Sequence, residues 1–260
     1  MDRQWRAAFG TDGLRREEKL MLGRRASVVL IACVFGMLAT APGSAGPEDP
    51  AQPKGGWTET FEVERERFRP YGRNPYFVLI PGHYQVLEEE GGREKVIVTV
   101  LDETEIVDGV ETRVVEECEL EDGELVEISR NFMAIDTLTN SVFYFGEDVD
   151  IYKDGKVVSH EGAWRSGEDG ARFGLMMPGI VLLGSRYYQE IAPGKAMDRA
   201  AILSMAETVK TPAGEFSHCL EIEETNPLEP GEKESNFYAP GIGIVQDESA
   251  KLVEYGFLEE

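Results

Sequence analysis

The sequence predicts an all-β protein: an up-and-down antiparallel sheet of about ten strands that curls into an incomplete barrel behind an N-terminal signal peptide. Two observations predict the sheet. Apolar and polar residues alternate over many short segments, which is typical of strands with one buried face. Asp-Gly and Gly-Gly pairs separate these segments and indicate tight hairpins. A third observation, an apolar run behind two arginines, predicts export.

The N-terminal region is arranged like a secretory leader. Arg24 and Arg25 precede an apolar run over residues 26–41, and the small residues 43–45 follow as a cleavage site. A membrane-spanning helix needs about 20 uninterrupted apolar residues, and this run is shorter. We therefore expect residues 1–45 to be removed on export to the periplasm or the cell exterior, which leaves a mature chain without a transmembrane span.

Two details of the leader leave alternatives. Residues 1–20 are polar and mixed in charge, so Met21 is an alternative start of the chain. The segment that ends at Cys33 resembles a lipoprotein cleavage box, in which the cysteine would carry the lipid. The apolar run continues for eight residues beyond Cys33, where a mature lipoprotein becomes polar. General secretion is therefore favoured over lipid anchoring.

The exported part divides into two regions. Residues 46–73 are rich in proline, glycine and charged side chains, which predicts a flexible tether. From Asn74 onward the alternating pattern begins, which predicts that residues 74–260 form a single β-rich domain. The 215 residues beyond the leader are enough for one sizeable core.

The mature chain is strongly acidic. Without the leader it carries 19 Lys and Arg against 45 Asp and Glu, which is a net charge of −26. Such a charge repels nucleic acids and anionic membrane surfaces, so neither is an expected partner. It would attract cations, although a solvated acidic surface is the simpler interpretation.

Particular segments carry the strand prediction. Apolar residues alternate with polar ones over residues 96–100, 142–145 and 216–222, and the last of these patterns places His218 on the core side. Glycine supplies the positive φ that tight hairpin turns need. The predicted turns are Gly91-Gly92, Asp108-Gly109, Asp122-Gly123, Asp154-Gly155 and Pro212-Ala213-Gly214.

Cys118 and Cys219 are the two cysteines that follow the leader. In an oxidising compartment a disulfide between them is the default expectation. The alternation argues against the bridge, because Cys219 shares a face with polar Ser217 and Glu221, whereas Cys118 shares a face with Val114. The residues alone leave both a disulfide and two free thiols open.

One stretch breaks the alternation. Residues 173–183 are continuously apolar, and two glycines and a proline within them prevent a long helix. The stretch is either a loop that plugs the core or an adaptable methionine-containing lid over an apolar cavity. In the second case the ligand-binding candidates are sulfur-containing and aromatic side chains: Tyr76, Trp164, Met176, Met177 and Tyr188.

Carboxylates supply the other candidate site. Glu161, Glu190 and Asp198 could hold a divalent cation, because hard cations take oxygen ligands. Alternatively, Arg186 pairs with Glu190 as a buried salt bridge. The sequence has no nucleophile elbow, zinc-protease helix or phosphate loop. We therefore assign no catalytic residue and no cofactor beyond the candidate cation.

Several blocks occur together in order: Asn74-Pro75-Tyr76-Phe77 with Pro81-Gly82, then residues 144–148, 161–164 and 189–190, and finally 238–243. With them the chain resembles a family of exported bacterial proteins usually left as hypothetical, over most of residues 74–247. The last block also resembles the closing hairpin of TapB-like proteins and, more distantly, the half-barrels of the LolA/LolB lipoprotein carriers. The resemblance implies an exported β-domain without an established activity. The chain departs from the family pattern at Met133 and Ile135, where aromatic and amide residues are common.

These observations favour an exported, non-enzymatic domain that binds an apolar small molecule, a lipid or a protein partner in its concavity. A small-molecule site would need a cavity of about 300 Å³ or more. The first alternative is extracytoplasmic divalent-cation binding through carboxylates around Glu190. The second is an enzyme of unrecognised type, which would hold two side chains with displaced pKa values in a cleft.

Overall fold

The computed structural model describes residues 56–259, so the predicted leader, with Met21 and Cys33, lies outside them. The described residues form eighteen β-strands and one 3-10 turn, Arg65–Arg67. None of their helices is long and apolar enough to cross a membrane. The all-β prediction is confirmed.

The first nine strands are β1 Phe68–Arg69, β2 Gly72–Asn74, β3 Phe77–Leu79, β4 His83–Glu88, β5 Glu94–Val107, β6 Val110–Glu121, β7 Glu124–Asp136, β8 Val142–Lys153 and β9 Lys156–Ser159. The others are β10 Trp164–Arg165, β11 Arg172–Met177, β12 Arg186–Tyr188, β13 Glu190–Ile191, β14 Arg199–Thr211, β15 Gly214–Thr225, β16 Glu234–Ala239, β17 Gly243–Asp247 and β18 Ala250–Phe257. There are more strands than the ten or so predicted, because pieces of two or three residues are too short to show an alternating pattern.

Two meanders form one large antiparallel sheet. Strands β4 to β8 pair in chain order, and so do β14 to β18. The meanders join where β18 pairs with β4. Strand β11 pairs with β8 on the side opposite β7. Strands β2 and β3 form a separate hairpin. This up-and-down order is the predicted topology, and the sheet is long enough to curl on itself.

A short segment brings the two ends of the sheet together. Strand β12 pairs with β14 at one end of the sheet order, and β13 pairs with β11 at the other. Only Gln189 separates β12 from β13, so a single stretch of chain contacts both ends. Gly174 permits this contact because it has no Cβ atom. A Cβ at this position would lie 2.2 Å from the Gln189 carbonyl oxygen and would collide with it. The result is a nearly closed, barrel-like sheet.

Part of the predicted tether packs on the sheet. Strand β1 pairs with β7, and the buried Phe68 ring lies 5.3 Å from the Phe143 ring and 5.1 Å from the Phe145 ring. Thr58 forms a parallel bridge with Tyr187. The described residues from 56 onward therefore cover apolar surface of β7 and β8, and the folded domain begins before Asn74.

A bulge changes the predicted faces of β15. His218 has a positive φ of 59°, and the register with β14 shifts at this point. Because one residue is inserted, His218 is exposed and Cys219 turns into the core. The prediction that His218 lies on the core side was wrong for this reason, and so was the polar face assigned to Cys219.

Candidate functional site

The five predicted ligand-binding side chains do not line one cleft. Met176 and Met177 are buried in the barrel core, where β11 pairs with β8. Tyr76 packs against the same core, and its hydroxyl donates a hydrogen bond to the His218 carbonyl oxygen at 3.3 Å. The two methionines therefore serve as core side chains in this structure.

The other two aromatic candidates lie in different places. Tyr188 is half-buried with its ring 6.5 Å from the Trp57 ring, and the Arg199 guanidinium lies over both rings. Trp164 is buried and meets Tyr144 edge to face at 5.2 Å between ring centroids. Of the five candidates, Trp164 alone lines a pocket of about 180 Å³ in the described part of the chain.

That pocket, which we call the Glu147 pocket, lies between β8, β10 and the turn at residues 192–195. Its volume is about 180 Å³, which is smaller than typical drug-sized ligand pockets of about 300–1,000 Å³. Its wall is polar and charged, with Glu147, Asp148, Trp164, Arg165, Asp169 and Lys195 among the lining residues.

A bulge in β8 places Glu147 at this position. Asn131 pairs with Glu147 and Met133 pairs with Tyr144, so β8 uses one more residue than β7 between these two pairs. Glu147 therefore shares the inner face of Tyr144 although it lies three positions away. Gly146 makes the bulge possible, because its φ is 143°. A Cβ atom at this position would collide with the Trp164 carbonyl oxygen of β10, at a distance of 2.5 Å.

Two buried polar groups of the pocket wall have no hydrogen-bond partner. These groups are the carboxyl of Glu147, with both of its oxygens, and the indole Nε1–H of Trp164. Burial raises the pKa of Glu147 well above its usual value, and the charges of Glu127 and Asp198 raise it further. The Tyr144 hydroxyl donates to Asn131 Oδ1 at 2.8 Å, and its proximity to the Glu147 carboxyl acts against the rise of that pKa. Burial therefore favours the protonated, neutral form of the Glu147 carboxyl.

The predicted cation ligands come together only in part. The Asp198 backbone N–H donates to Glu190 Oε1 at 2.6 Å, and burial raises the pKa of both carboxyls. Glu161 is exposed, and its backbone N–H donates a hydrogen bond to Ser159 Oγ at 3.0 Å. Among residues 56–259, no group of three or more His, Cys, Asp or Glu side chains is arranged to hold a metal ion. Arg186, the alternative partner of Glu190, lies over the Trp57 ring at 5.4 Å.

Further carboxyls face the interior at the same end of the barrel. Burial raises the pKa of Glu117 and of Glu224 to about 8, and that of Glu127 to about 7. Asp247 is also buried, and its pKa is well above the usual value. The sequence interpretation assigned such residues to a solvated surface. Glu117 lies in the acidic stretch of residues 116–121, where the sequence does not indicate which glutamates face inward.

The disulfide alternative is not realised. Cys118 and Cys219 are both free and buried. Cys118 packs with Val86 and Ile97, whereas Cys219 belongs to the main core of the barrel. The two thiols therefore lie in separate apolar clusters on different strands.

An exposed apolar surface lies at the opposite end of the barrel. We call it the apolar loop surface and define it by Leu138, Ile180, Leu182 and Leu183, which are 63–73% exposed. Leu138 lies in the β7–β8 turn, and the others lie in the loop between β11 and β12. The second half of the predicted lid is therefore exposed, whereas its first half is core strand.

Two residues of the quoted sequence blocks meet at the Glu147 pocket. The block at residues 144–148 supplies Glu147, and the block at 161–164 supplies Trp164. The register pairs these two residues directly across β8 and β10. The blocks were the available signal for this site, but their meeting depends on the bulge at Gly146.

Comparisons with known proteins give no family. The chain matches no family model and no curated protein sequence. A solved structure described as a "putative lipoprotein" from Parabacteroides distasonis aligns with 71% of this chain and 100% of its own, at 13% identity and a TM-score of 0.34. A TM-score of this size supports no conclusion about fold or function.

Proposed function

We propose that this chain is an exported binding domain that docks a protein partner on the apolar loop surface. The observation that carries the proposal is the exposure of four aliphatic side chains on two adjoining loops. We infer export from the leader pattern of residues 1–45. We infer the protein partner from the exposed side chains of the apolar loop surface.

The apolar loop surface is held in place by hydrogen bonds. The Asn74 side-chain amide donates to the carbonyl oxygens of Asn140 at 2.8 Å and Pro178 at 3.0 Å, which ties the two loops together. The Gly179 N–H donates to Ser141 Oγ at 3.0 Å. Because the loops are ordered beforehand, a partner would bind them without a large loss of conformational entropy.

A protein partner fits this end better than a small apolar molecule or a lipid. An apolar pocket among the described residues, lined by Phe77, Val98 and Tyr238 among others, has a volume of about 20 Å³. That space holds about one water molecule. The net charge of −26 opposes binding to anionic membranes. This pocket is too small for an apolar ligand, whereas a protein surface could cover all four exposed side chains.

The expected energy is modest but measurable. Fully burying one leucine or isoleucine side chain contributes about 1.5–3 kcal/mol. About two-thirds of each side chain is exposed, so each would contribute about 1–2 kcal/mol on docking. Loss of one side chain should therefore weaken binding about tenfold.

The test is site-specific photo-crosslinking in the native host, with a photoreactive residue at position 182 or at position 158. Val158 is the matched control, because it is an aliphatic side chain, 60% exposed, on β9. We expect one protein to crosslink from position 182 and not from 158, and the purified pair to bind about tenfold more weakly after Leu182→Asp.

Other outcomes would overturn the proposal. Crosslinks only to a second copy of the chain would indicate self-association. Flotation of the protein with phosphatidylcholine vesicles, lost in Leu182→Asp, would indicate a lipid surface instead. Equal crosslinking from positions 182 and 158 would show that the surface has no specific partner. Fractionation of the host tests export separately, and we expect the mature chain outside the cytoplasm.

A further inference from the structure

The sheet of this protein ends in a step beside the apolar loop surface. Strand β12 pairs with β14 at residues 199–201, and the Gly184 N–H extends this contact by donating to the Ile202 carbonyl oxygen at 2.9 Å. Strand β14 continues to Thr211, and in the described part of the chain no strand pairs with its outer side beyond Ile202. We call this side of residues 203–211 the β14 edge.

The β14 edge adjoins the apolar loop surface and begins with apolar side chains. Leu203, which is 46% exposed, follows directly on the residue that the loop contacts, and Met205 is 39% exposed. Glu207 and Lys210 are the charged residues of the β14 edge, and their charges cancel. An exposed edge strand with apolar side chains and no net charge is a template on which another strand can pair.

Bulges give the two halves of the β14 edge different properties. The register between β14 and β15 shifts three times between Ile202 and Thr208, and such bulges bend a strand and re-aim its side chains. In this half the Ala206 N–H is already engaged, because it donates to Ser204 Oγ at 3.3 Å. From Thr208 to Thr211 the pairing with β15 is regular, so the backbone groups that point away from β15 keep strand spacing. The first half therefore presents apolar side chains, and the second half presents backbone groups.

The backbone groups of the second half indicate a polypeptide as the occupant. Alternating N–H and C=O groups at strand spacing are complementary to another extended chain, whereas a lipid or a small apolar molecule would leave them unpaired. This end of the sheet already accepts one such addition. The Thr58 N–H donates to the Arg186 carbonyl oxygen at 3.0 Å, and the Tyr188 N–H donates to the Thr58 carbonyl oxygen at 3.0 Å. The preceding residues 46–55 are unsuited to extend this pairing along β14, because they include three prolines, which lack an N–H.

From these observations, we propose that the partner protein of the apolar loop surface adds an extended segment to the β14 edge as a further strand of the sheet. The inference rests on the proposed function, because the same partner covers both surfaces. Main-chain hydrogen bonds along residues 208–211 hold the segment, and its apolar side chains cover Leu203 and Met205. The segment has no proline at the alternate positions whose N–H groups face β14.

The test is site-specific photo-crosslinking in the native host, with a photoreactive residue at position 205 or 208 in addition to position 182. Ser217 is the matched control, because it is the exposed neighbour of Thr208 on β15, one strand further from the edge. We expect positions 182, 205 and 208 to capture the same protein, and position 217 to capture little of it. The residues captured from positions 205 and 208 should lie about three residues apart in one segment, because paired strands have nearly the same rise per residue.

A substitution at the β14 edge provides a second test. Met205→Lys should weaken binding of the purified pair about tenfold, whereas Val158→Lys, at an exposed position on β9, should leave it unchanged. Because both positions are exposed, the two variants should have the Tm and circular dichroism spectrum of wild type. Equal binding by Met205→Lys and wild type would overturn the proposal.

The crosslinking outcomes separate this inference from the proposed function. Capture of a protein from position 182, with none from positions 205 and 208, would overturn strand addition and leave the proposed function in place. No specific capture from position 182 would overturn both. Equal capture from positions 208 and 217, or captured residues scattered over several segments of the partner, would overturn strand addition in favour of a contact with the face of the sheet. Capture of a second copy of the chain from position 205 would overturn it in favour of self-association.

Discussion

Glu117 allows a sharp test of the acidic interior. Its side chain is 2% exposed, and neither carboxyl oxygen has a hydrogen-bond partner. Burial, together with the charge of Glu127, raises its pKa from 4.5 to about 8. The folded protein therefore binds a proton here that the unfolded chain has released at neutral pH. The perturbation we choose is Glu117→Gln, which keeps the shape of the protonated side chain and removes the titration.

The sign and size of the effect follow from linkage. Because the pKa is raised on folding, the stabilising contribution of this group is complete below about pH 4.5 and is lost as the pH rises through about 8. The rise of the pKa from 4.5 to about 8 corresponds to about 5 kcal/mol at the alkaline limit. Relaxation and water entry around the charged group reduce this to about 3–5 kcal/mol. A domain of this size changes its Tm by about 2–4 °C per kcal/mol, so we expect a difference near 10 °C.

The assay is thermal unfolding by circular dichroism near pH 5, 7 and 9. Wild type should lose Tm steadily as the pH rises. Glu117→Gln should match wild type near pH 5 and exceed it by about 10 °C near pH 9. Glu161→Gln, which changes an exposed carboxyl, should follow the wild-type curve. Parallel curves for wild type and Glu117→Gln would refute the reasoning, because they would show that this carboxyl is ionised and solvated in the folded protein.

Three further substitutions or measurements test the fold. Gly174→Ala should lower the free energy of unfolding by about 1–3 kcal/mol or more, measured by guanidinium titration, because its Cβ collides with the closing segment. Asp136→Asn should lower the free energy of unfolding, because the buried carboxylate loses the charge with which it accepts two hydrogen bonds from the Arg67 guanidinium, one of them at 2.7 Å. Burial raises the pKa of the Asp136 carboxyl, but the hydrogen bonds from Arg67, from Thr139 and from the Leu138 and Thr139 backbone N–H groups together lower it below its usual value. This wild-type contribution should therefore fade as the pH falls. Cys118 and Cys219 should resist thiol reagents until denaturant is added, because both are buried and the pKa of Cys118 is raised to about 12. Rapid labelling of the native protein would contradict their placement.

The hairpins were predictable because their signals are local. At Asp108-Gly109, Asp122-Gly123 and Asp154-Gly155 both residues have positive φ, from 49° to 82°. Each pair joins two neighbouring strands of the sheet. A turn of this kind needs positive φ at two successive positions, and an Asp-Gly pair is therefore enough to predict it. The meander of successive strands follows directly from such turns.

The closure of the barrel and the composition of its interior were not predictable in this way. Closure depends on the segment around Gln189, which contacts strands far away in the sequence. Single-residue bulges at Gly146 and His218 reverse the faces of the residues that follow, and alternation alone cannot locate them. The glutamates were assigned to solvent because ionised carboxyls avoid the interior. Burial of Glu117 is possible only because a raised pKa keeps it neutral.

A final prediction concerns the buried carboxyl of Glu147. Its β8 neighbours Tyr144 and Val149 are buried as well. Burial of a carboxyl costs free energy that an aliphatic side chain in the same position would not cost, and it raises the pKa of Glu147 well above the usual value. Glu147→Leu should therefore be at least as stable as wild type near pH 8. Guanidinium titration of the two proteins measures the difference. If Glu147→Leu unfolds at lower denaturant concentration than wild type, the carboxyl supports the fold through its polar contacts, such as the one with the Tyr144 hydroxyl.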